Sequence, residues 1–82
     1  MEDVRPLVSV AQRIAGVVAA RGRGDHEGAR ALLCTMSEQE LSAGAILVAD
    51  LSLDLLRRQS GQSLDQVVSR LCVDIECTLN RP

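Results

Sequence analysis

The residues from Ser37 to Gly61 constrain the fold most, because they combine helix start and stop signals with an unusually wide apolar surface. Ser37 and Glu40 fit a capping box, in which each side chain bonds to the backbone N–H of the other residue. Two arginines occupy the expected last turn, and Gly61 can adopt the left-handed conformation that ends a helix. These signals predict a helix from Glu38 to Gln59.

The apolar residues of this predicted helix cover well over half of its circumference, whereas an ordinary surface helix has an apolar stripe of roughly 100°. Such a helix needs neighbours on several sides. We therefore expect Leu47, Leu51 and Leu55 to form the core of the domain together with Leu71 and Ile75 of a later helix.

Three further helices are predicted from the same kinds of signal. Asp3, Asp25 and Ser63 each precede a helical pattern and can cap its first turn, and Gly22 is expected to end the first helix. The last helix has the clearest periodicity, with apolar residues recurring every three or four positions. The predicted bounds are Val4 to Arg21, His26 to Thr35 and Leu64 to Leu79.

The segment GDHEGARALL, from Gly24 to Leu33, resembles the inter-helix turn and second helix of a tetratricopeptide repeat, with Ala29 as the small packing residue. The resemblance implies a helical hairpin. The first helix departs from the pattern of that family, since Gly16 and Val17 stand where a Leu and a Gly would be expected. Because repeat arrays normally need three or more copies, we interpret the likeness as shared hairpin geometry.

The predicted fold class is all-α, a small four-helix bundle organised around the apolar third helix, and the 82 residues are expected to form a single domain. The first and third helices carry more apolar surface than a monomer of this size can cover. We therefore expect a homodimer formed through them. Its candidate contacts are residues of the apolar faces of the first and third helices and two residues on the polar face of the last helix. They are Ala15, Ile46, Ala49, Leu53, Val73 and Cys77.

Composition disfavours several classes of function. The chain has no Phe, Tyr or Trp, the residues that dominate base-stacking platforms and binding hot spots, and its net charge of −2 does not attract a phosphate backbone. No second group stands near His26 at a spacing that would make a catalytic dyad, so we expect no enzymatic activity and no cofactor.

The cysteines show neither a metal-binding nor a disulfide framework, because they are odd in number and lack a CxxC pair. We expect Cys34 and Cys72 to be buried and Cys77 to be exposed. Three thiols without a framework are typical of the cytoplasm, and no apolar run reaches the roughly 18 residues of a membrane span. We therefore expect a cytoplasmic protein with no metal site and no membrane contact.

The leading functional hypothesis is a non-enzymatic protein–protein interaction module, a small regulatory or adaptor protein that binds itself and a second, unidentified protein. The alternative is a small dimeric transcription regulator that binds DNA. Its candidate anion contacts are Arg21, Arg23 and Arg30, which flank the turn between the first two helices. A subunit of a larger assembly is a third interpretation of the same apolar surface.

Overall fold

The computed structural model describes residues 3–80, and these form four α-helices and no β-strand. The all-α prediction is confirmed, and each helix boundary lies within two residues of the predicted one. The chain divides into two compact units, Met1–Ala49 and Asp50–Pro82. The four helices are α1 (Arg5–Gly22), α2 (His26–Leu33), α3 (Glu38–Ser60) and α4 (Leu64–Leu79).

The helix starts follow the predicted capping chemistry in three of the four cases. The Asp25 carboxylate accepts a hydrogen bond from the Gly28 N–H at 2.9 Å. The Ser37 N–H donates to the Glu40 carboxylate at 2.9 Å, and the Glu40 N–H donates to the Ser37 hydroxyl at 3.1 Å. The same reciprocal pair joins Ser63 to its partner three residues later. Each pair satisfies backbone donors that a helix start would otherwise leave free.

The two ends of α1 differ from the prediction in detail. Val4 occupies the N-cap position without a side-chain cap, and the Asp3 carboxylate instead accepts from the backbone N–H and the guanidinium of Arg5 at 3.0 Å. At the other end the left-handed residue is Gly24, with φ of 80°, so Gly22 is simply the last helical residue. Gly61, at φ of 73°, ends α3 as predicted.

The first unit has its core where α1 packs against α2. Small side chains let the two helices approach closely, and the δ-methyl of Leu32 would lie only 3.3 Å from a Cβ added at Gly16. Near the far end of α2, the Arg13 guanidinium donates to the backbone carbonyl and the hydroxyl of Thr35. The buried core residues are Val10, Val17, Ala20, Ala29 and Met36.

The first part of α3 joins this core through Leu41 and crosses α1 at Gly44, the one buried residue of α3. A Cβ added at Gly44 would lie 2.6 Å from methyl groups of both Val10 and Ile14. The absence of a side chain at Gly44 therefore sets the distance between the two helices.

The second unit contains the end of α3 and all of α4, and Val67 is its only buried side chain among the described residues. A cleft of about 330 Å³ separates the two helices. Leu51, Leu55 and Ile75 are exposed by half or more, and Leu71 by 41%. The prediction that these residues form a core is therefore wrong for the single chain.

The capping boxes of α3 and α4 differ in whether the side chain that accepts from the N-cap backbone can titrate. The backbone N–H of Ser37 holds the pKa of the Glu40 carboxyl below its ordinary value. The stability that this hydrogen bond gives to the folded state is present above the ordinary pKa of a glutamate. It is lost as the pH falls through the lowered pKa of Glu40. The box of α4 uses Gln66, which does not titrate.

We therefore expect the amide proton resonance of Ser37 to shift between about pH 6 and about pH 2, the range in which carboxyls titrate. The amide of Ser63, bonded to Gln66, should not follow the same curve. Two-dimensional NMR spectra across this range give the measurement, and Glu40→Gln should abolish the shift at Ser37. Equal responses at Ser37 and Ser63 would contradict the assignment.

Candidate functional site

The most distinctive surface is one apolar face of α4. Its residues recur at intervals of three or four positions, so they form a continuous stripe on one side of the helix. On this side of the helix, Leu64, Val68, Leu71 and Ile75 are exposed by 38% to 56%, and Leu79, the last residue of the helix, is exposed by 83%. We call this stripe the α4 apolar face, and it consists of Leu64, Val68, Leu71, Cys72, Ile75 and Leu79.

The α4 apolar face is exposed because α3 contacts α4 along a different side. The cleft between them is lined by Val67 and by Asp74, which point to one flank of the stripe. Leu71 is shared between the cleft and the α4 apolar face. The remaining members of the stripe do not line the cleft, so within this unit α3 leaves them exposed.

The cleft of the second unit is lined by both apolar and polar side chains. Leu53, Leu56 and Val67 supply apolar walls, and Arg70 with Asp74 stands on the α4 side. It is open to solvent and holds no buried polar group, so it lacks the convergent polar side chains that usually fix a small ligand.

The residues predicted as interface contacts do not gather on one unit. Ala15, Ile46 and Ala49 belong to the first unit, and Leu53, Val73 and Cys77 belong to the second. Leu53 is half-buried in the cleft, and the other five are exposed. Ile46 and Val73 are the largest of these exposed side chains, at 63% and 57%. Their role in an interface stays a prediction.

The arginines predicted to contact an anion surround the α1–α2 turn. Arg21 lies in the last turn of α1, Arg23 follows the helix, and Arg30 lies in α2. All three are exposed, and none takes part in an ion pair within residues 3–80. The adjacent N-terminus of α2 is capped by Asp25, whose carboxylate already accepts the Gly28 N–H. Its negative charge opposes an anion at that position.

The cysteines differ from the prediction in burial. Cys34, Cys72 and Cys77 are all exposed free thiols, so the prediction of burial is wrong for Cys34 and Cys72, and the prediction of exposure is confirmed for Cys77. Cys34 directly follows the last residue of α2. Cys72 lies on the α4 apolar face, which the second unit leaves open. Within residues 3–80 no group of His, Cys, Asp and Glu residues is arranged to hold a metal ion.

The sequence predicts that Leu71 and Ile75 of the α4 apolar face belong to the core and that Cys72 is buried. The residues of this face recur at intervals of four, three, four and four, read from Leu64 through Val68, Leu71 and Ile75 to Leu79, which is the spacing of an ordinary amphipathic helix. This spacing predicts that α4 has an apolar side, but it does not show which element covers that side.

No protein-family model matches this sequence, and comparison with curated proteins and with solved structures found no match. In the part of the chain that the structure describes, no helix has the length and hydrophobicity needed to cross a bilayer. The functional conclusion therefore depends on the geometry of the site alone.

Proposed function

We propose that this chain is a non-enzymatic protein–protein interaction module, a small regulatory or adaptor protein that acts as a homodimer in the cytoplasm. The exposure of the α4 apolar face is the observation that carries the proposal. A soluble monomer rarely exposes an apolar patch of more than a few hundred Å², and such patches commonly mark interaction sites.

Two further features support an interaction role over a catalytic one. The cleft of the second unit has no buried charged or polar side chain that could be tuned for acid–base chemistry. The three exposed free thiols suit a reducing compartment, where they stay unpaired. In the proposed module, one apolar surface is used for self-association, and other exposed side chains such as Ile46 remain available for a second protein.

The proposal predicts a molecular mass near twice 8.8 kDa for the chain in solution. A half-exposed stripe gives a modest interface, so the dimer should dissociate on dilution. Light scattering or sedimentation equilibrium from about 10 µM to about 1 mM, the range for weak complexes, gives the measurement. A constant monomer mass across that range would overturn the proposal.

DNA binding by a dimer is the second candidate, and the exposure of Arg21, Arg23 and Arg30 is the observation that favours it. A gel shift with mixed duplex fragments at low and high salt separates the two candidates. Retardation that is lost at high salt, and lost when the three arginines are changed to Gln, would favour DNA binding. The interaction module predicts no retardation at either salt concentration.

A further inference from the structure

We infer that Thr35 is a phosphorylation site and that its phosphate is bound by the Arg13 guanidinium. Thr35 lies in the connection between α2, which ends at Leu33, and α3, which begins at Glu38. Both Arg13 and Thr35 belong to the first unit, Met1–Ala49. The inference therefore goes beyond the proposed homodimer and does not depend on it.

The contact between Arg13 and Thr35 differs from every other side-chain hydrogen bond within residues 3–80. Nη1 of Arg13 lies 3.2 Å from the Thr35 hydroxyl oxygen and 3.4 Å from the Thr35 carbonyl oxygen. These residues are 22 positions apart in the chain, whereas the other side-chain hydrogen bonds join residues at most four positions apart. A charge added to Thr35 would therefore act directly on a contact between α1 and the chain that follows α2.

The Arg13 guanidinium has a donor and a charge that the first unit leaves unpaired. Its side chain is half-buried, and its Nε is shielded from solvent and has no acceptor among residues 3–80. No carboxylate oxygen of the described residues lies within ion-pair distance of Arg13. Because a buried donor without an acceptor costs free energy, an anion that reaches this guanidinium is stabilised.

A phosphate on Thr35 supplies both the acceptors and the negative charge. Phosphothreonine carries a charge of about −1.5 to −2 at neutral pH and has three acceptor oxygens. A guanidinium binds phosphate through two parallel N–H donors, and Nε together with a terminal nitrogen forms such a pair. The Thr35 hydroxyl oxygen already contacts Arg13, so a phosphorus atom bonded to that oxygen brings the three acceptors beside the guanidinium.

Two local features oppose the phosphate and limit the size of its effect. The Thr35 hydroxyl donates to the Leu32 carbonyl oxygen at 2.6 Å, and a phosphate ester has no proton with which to keep this bond. Glu40 is close enough for the Arg13 charge to act on its carboxyl, so it competes for the same cation. The phosphate is favoured over Glu40 because it makes direct, charge-assisted hydrogen bonds.

The partner that this modification requires is a protein kinase. Thr35 is exposed, so its hydroxyl is accessible. Its oxygen attacks the γ-phosphorus of a nucleoside triphosphate held by the kinase, and the bond from that phosphorus to the oxygen shared with the β-phosphate breaks. The nucleoside diphosphate leaves, and the hydroxyl proton passes to a base of the kinase. Glu38 and Glu40 follow Thr35, so a kinase with a basic substrate groove fits this segment.

Full-length protein with phosphate on Thr35 alone can be made by chemical ligation, because Thr35 directly follows a cysteine. A thioester of residues 1–33 joins a synthetic peptide of residues 34–82 at Cys34 and leaves the native sequence. The first fragment is produced in bacteria, so it can carry a nitrogen-15 label and the substitution Arg13→Gln or Arg5→Gln. Arg5 is the matched control, since it lies on the same helix, about 12 Å from Arg13 along the axis, and is exposed.

Phosphorus NMR during a pH titration measures whether a cation binds the phosphate, whose second dissociation occurs near neutral pH. A bound guanidinium favours the dianion. We therefore expect the second dissociation constant to be about fivefold larger in the wild type than in Arg13→Gln. Arg5→Gln should leave this constant within about 1.5-fold of the wild type, because solvent screens the more distant charge. Circular dichroism checks that both variants are folded.

The Nε–H resonance of Arg13 gives a second measurement that needs no substitution. It should move downfield when Thr35 is phosphorylated, because the proton gains a charged acceptor. An unmoved resonance, or equal dissociation constants in the wild type and Arg13→Gln, would overturn the assignment of Arg13 as the phosphate-binding residue.

Mass spectrometry of the chain isolated from the cells that encode it tests whether the modification occurs. Phosphate on Thr35, located by fragment ions, supports the inference. A chain that carries no phosphate on Thr35 in either growing or starved cells would overturn it. Neither result changes the mass of the unmodified chain in solution, so the proposed homodimer is tested separately.

Discussion

Val17→Asp is expected to unfold the first unit, whereas Leu51→Asp is expected to leave the protein folded. Val17 is 6% exposed and packs in the core with Ala20, Ala29 and Met36. A carboxylate placed there would have no partner, and the cost of burying it rivals the roughly 5 kcal/mol that stabilises a small domain. Leu51 is 60% exposed, so a carboxylate at that position stays hydrated.

Circular dichroism during urea denaturation measures both effects. For Val17→Asp we expect loss of a large part of the helical signal even without urea. For Leu51→Asp we expect a cooperative transition with a free energy of unfolding within about 1 kcal/mol of that of the wild type. Val17→Ala is the control that removes the side chain without adding a charge. It should lower the free energy of unfolding by about 2 kcal/mol, because it leaves a cavity in the core. A folded Val17→Asp, or an unfolded Leu51→Asp, would show that the core of the single chain lies elsewhere.

The helices could be predicted from the sequence because the signals for their ends are local. A capping box involves only residues three apart, so Ser37 with Glu40 and Ser63 with Gln66 could be recognised without knowing the rest of the fold. The left-handed glycine at Gly61 is equally local. The end of α1 was assigned less well, because Gly22 and Gly24 both suit a helix terminus and only the backbone geometry distinguishes them.

The burial of each helix face could not be predicted in the same way. Periodicity shows that a helix has an apolar side, but it does not show which element covers that side. Leu71 and Ile75 have the clearest apolar pattern in the chain and remain exposed in it. The core instead uses small residues such as Ala20 and Ala29, whose value lies in letting α1 and α2 approach closely.

In the candidate site too, a feature set by nearby residues could be predicted, and a feature set by a distant contact could not. The exposure of Cys77 was predicted because it lies on the polar side of α4, whereas the exposure of Cys72 depends on which side of α4 faces α3. No local signal carries that information. Leu71 and Ile75, which the sequence predicts to lie in the core, are therefore part of the surface on which the functional proposal depends.

Gly44→Val is expected to destabilise the first unit by about 2–3 kcal/mol, because it would overpack the crossing of α1 and α3. Even the first added carbon would lie 2.6 Å from methyl groups of Val10 and Ile14, closer than carbon atoms can approach. The Ile14 side chain is half-buried and can move. Val10 is 2% exposed and borders a shallow cleft of about 240 Å³, so relieving the clash requires the Val10 side chain to move as well as that of Ile14.

Gly22→Ala is the matched control, since Gly22 also lies in a helix but an added Cβ there would meet no atom within 4 Å. It should stabilise the protein by about 0.5 kcal/mol, because alanine loses less backbone entropy than glycine on folding. Urea denaturation of both variants, at a concentration low enough to keep the chain monomeric, measures the two effects with opposite signs. If Gly44→Val were as stable as Gly22→Ala, α1 and α3 would not cross at Gly44, and the close contact that joins α3 to the first core would be refuted.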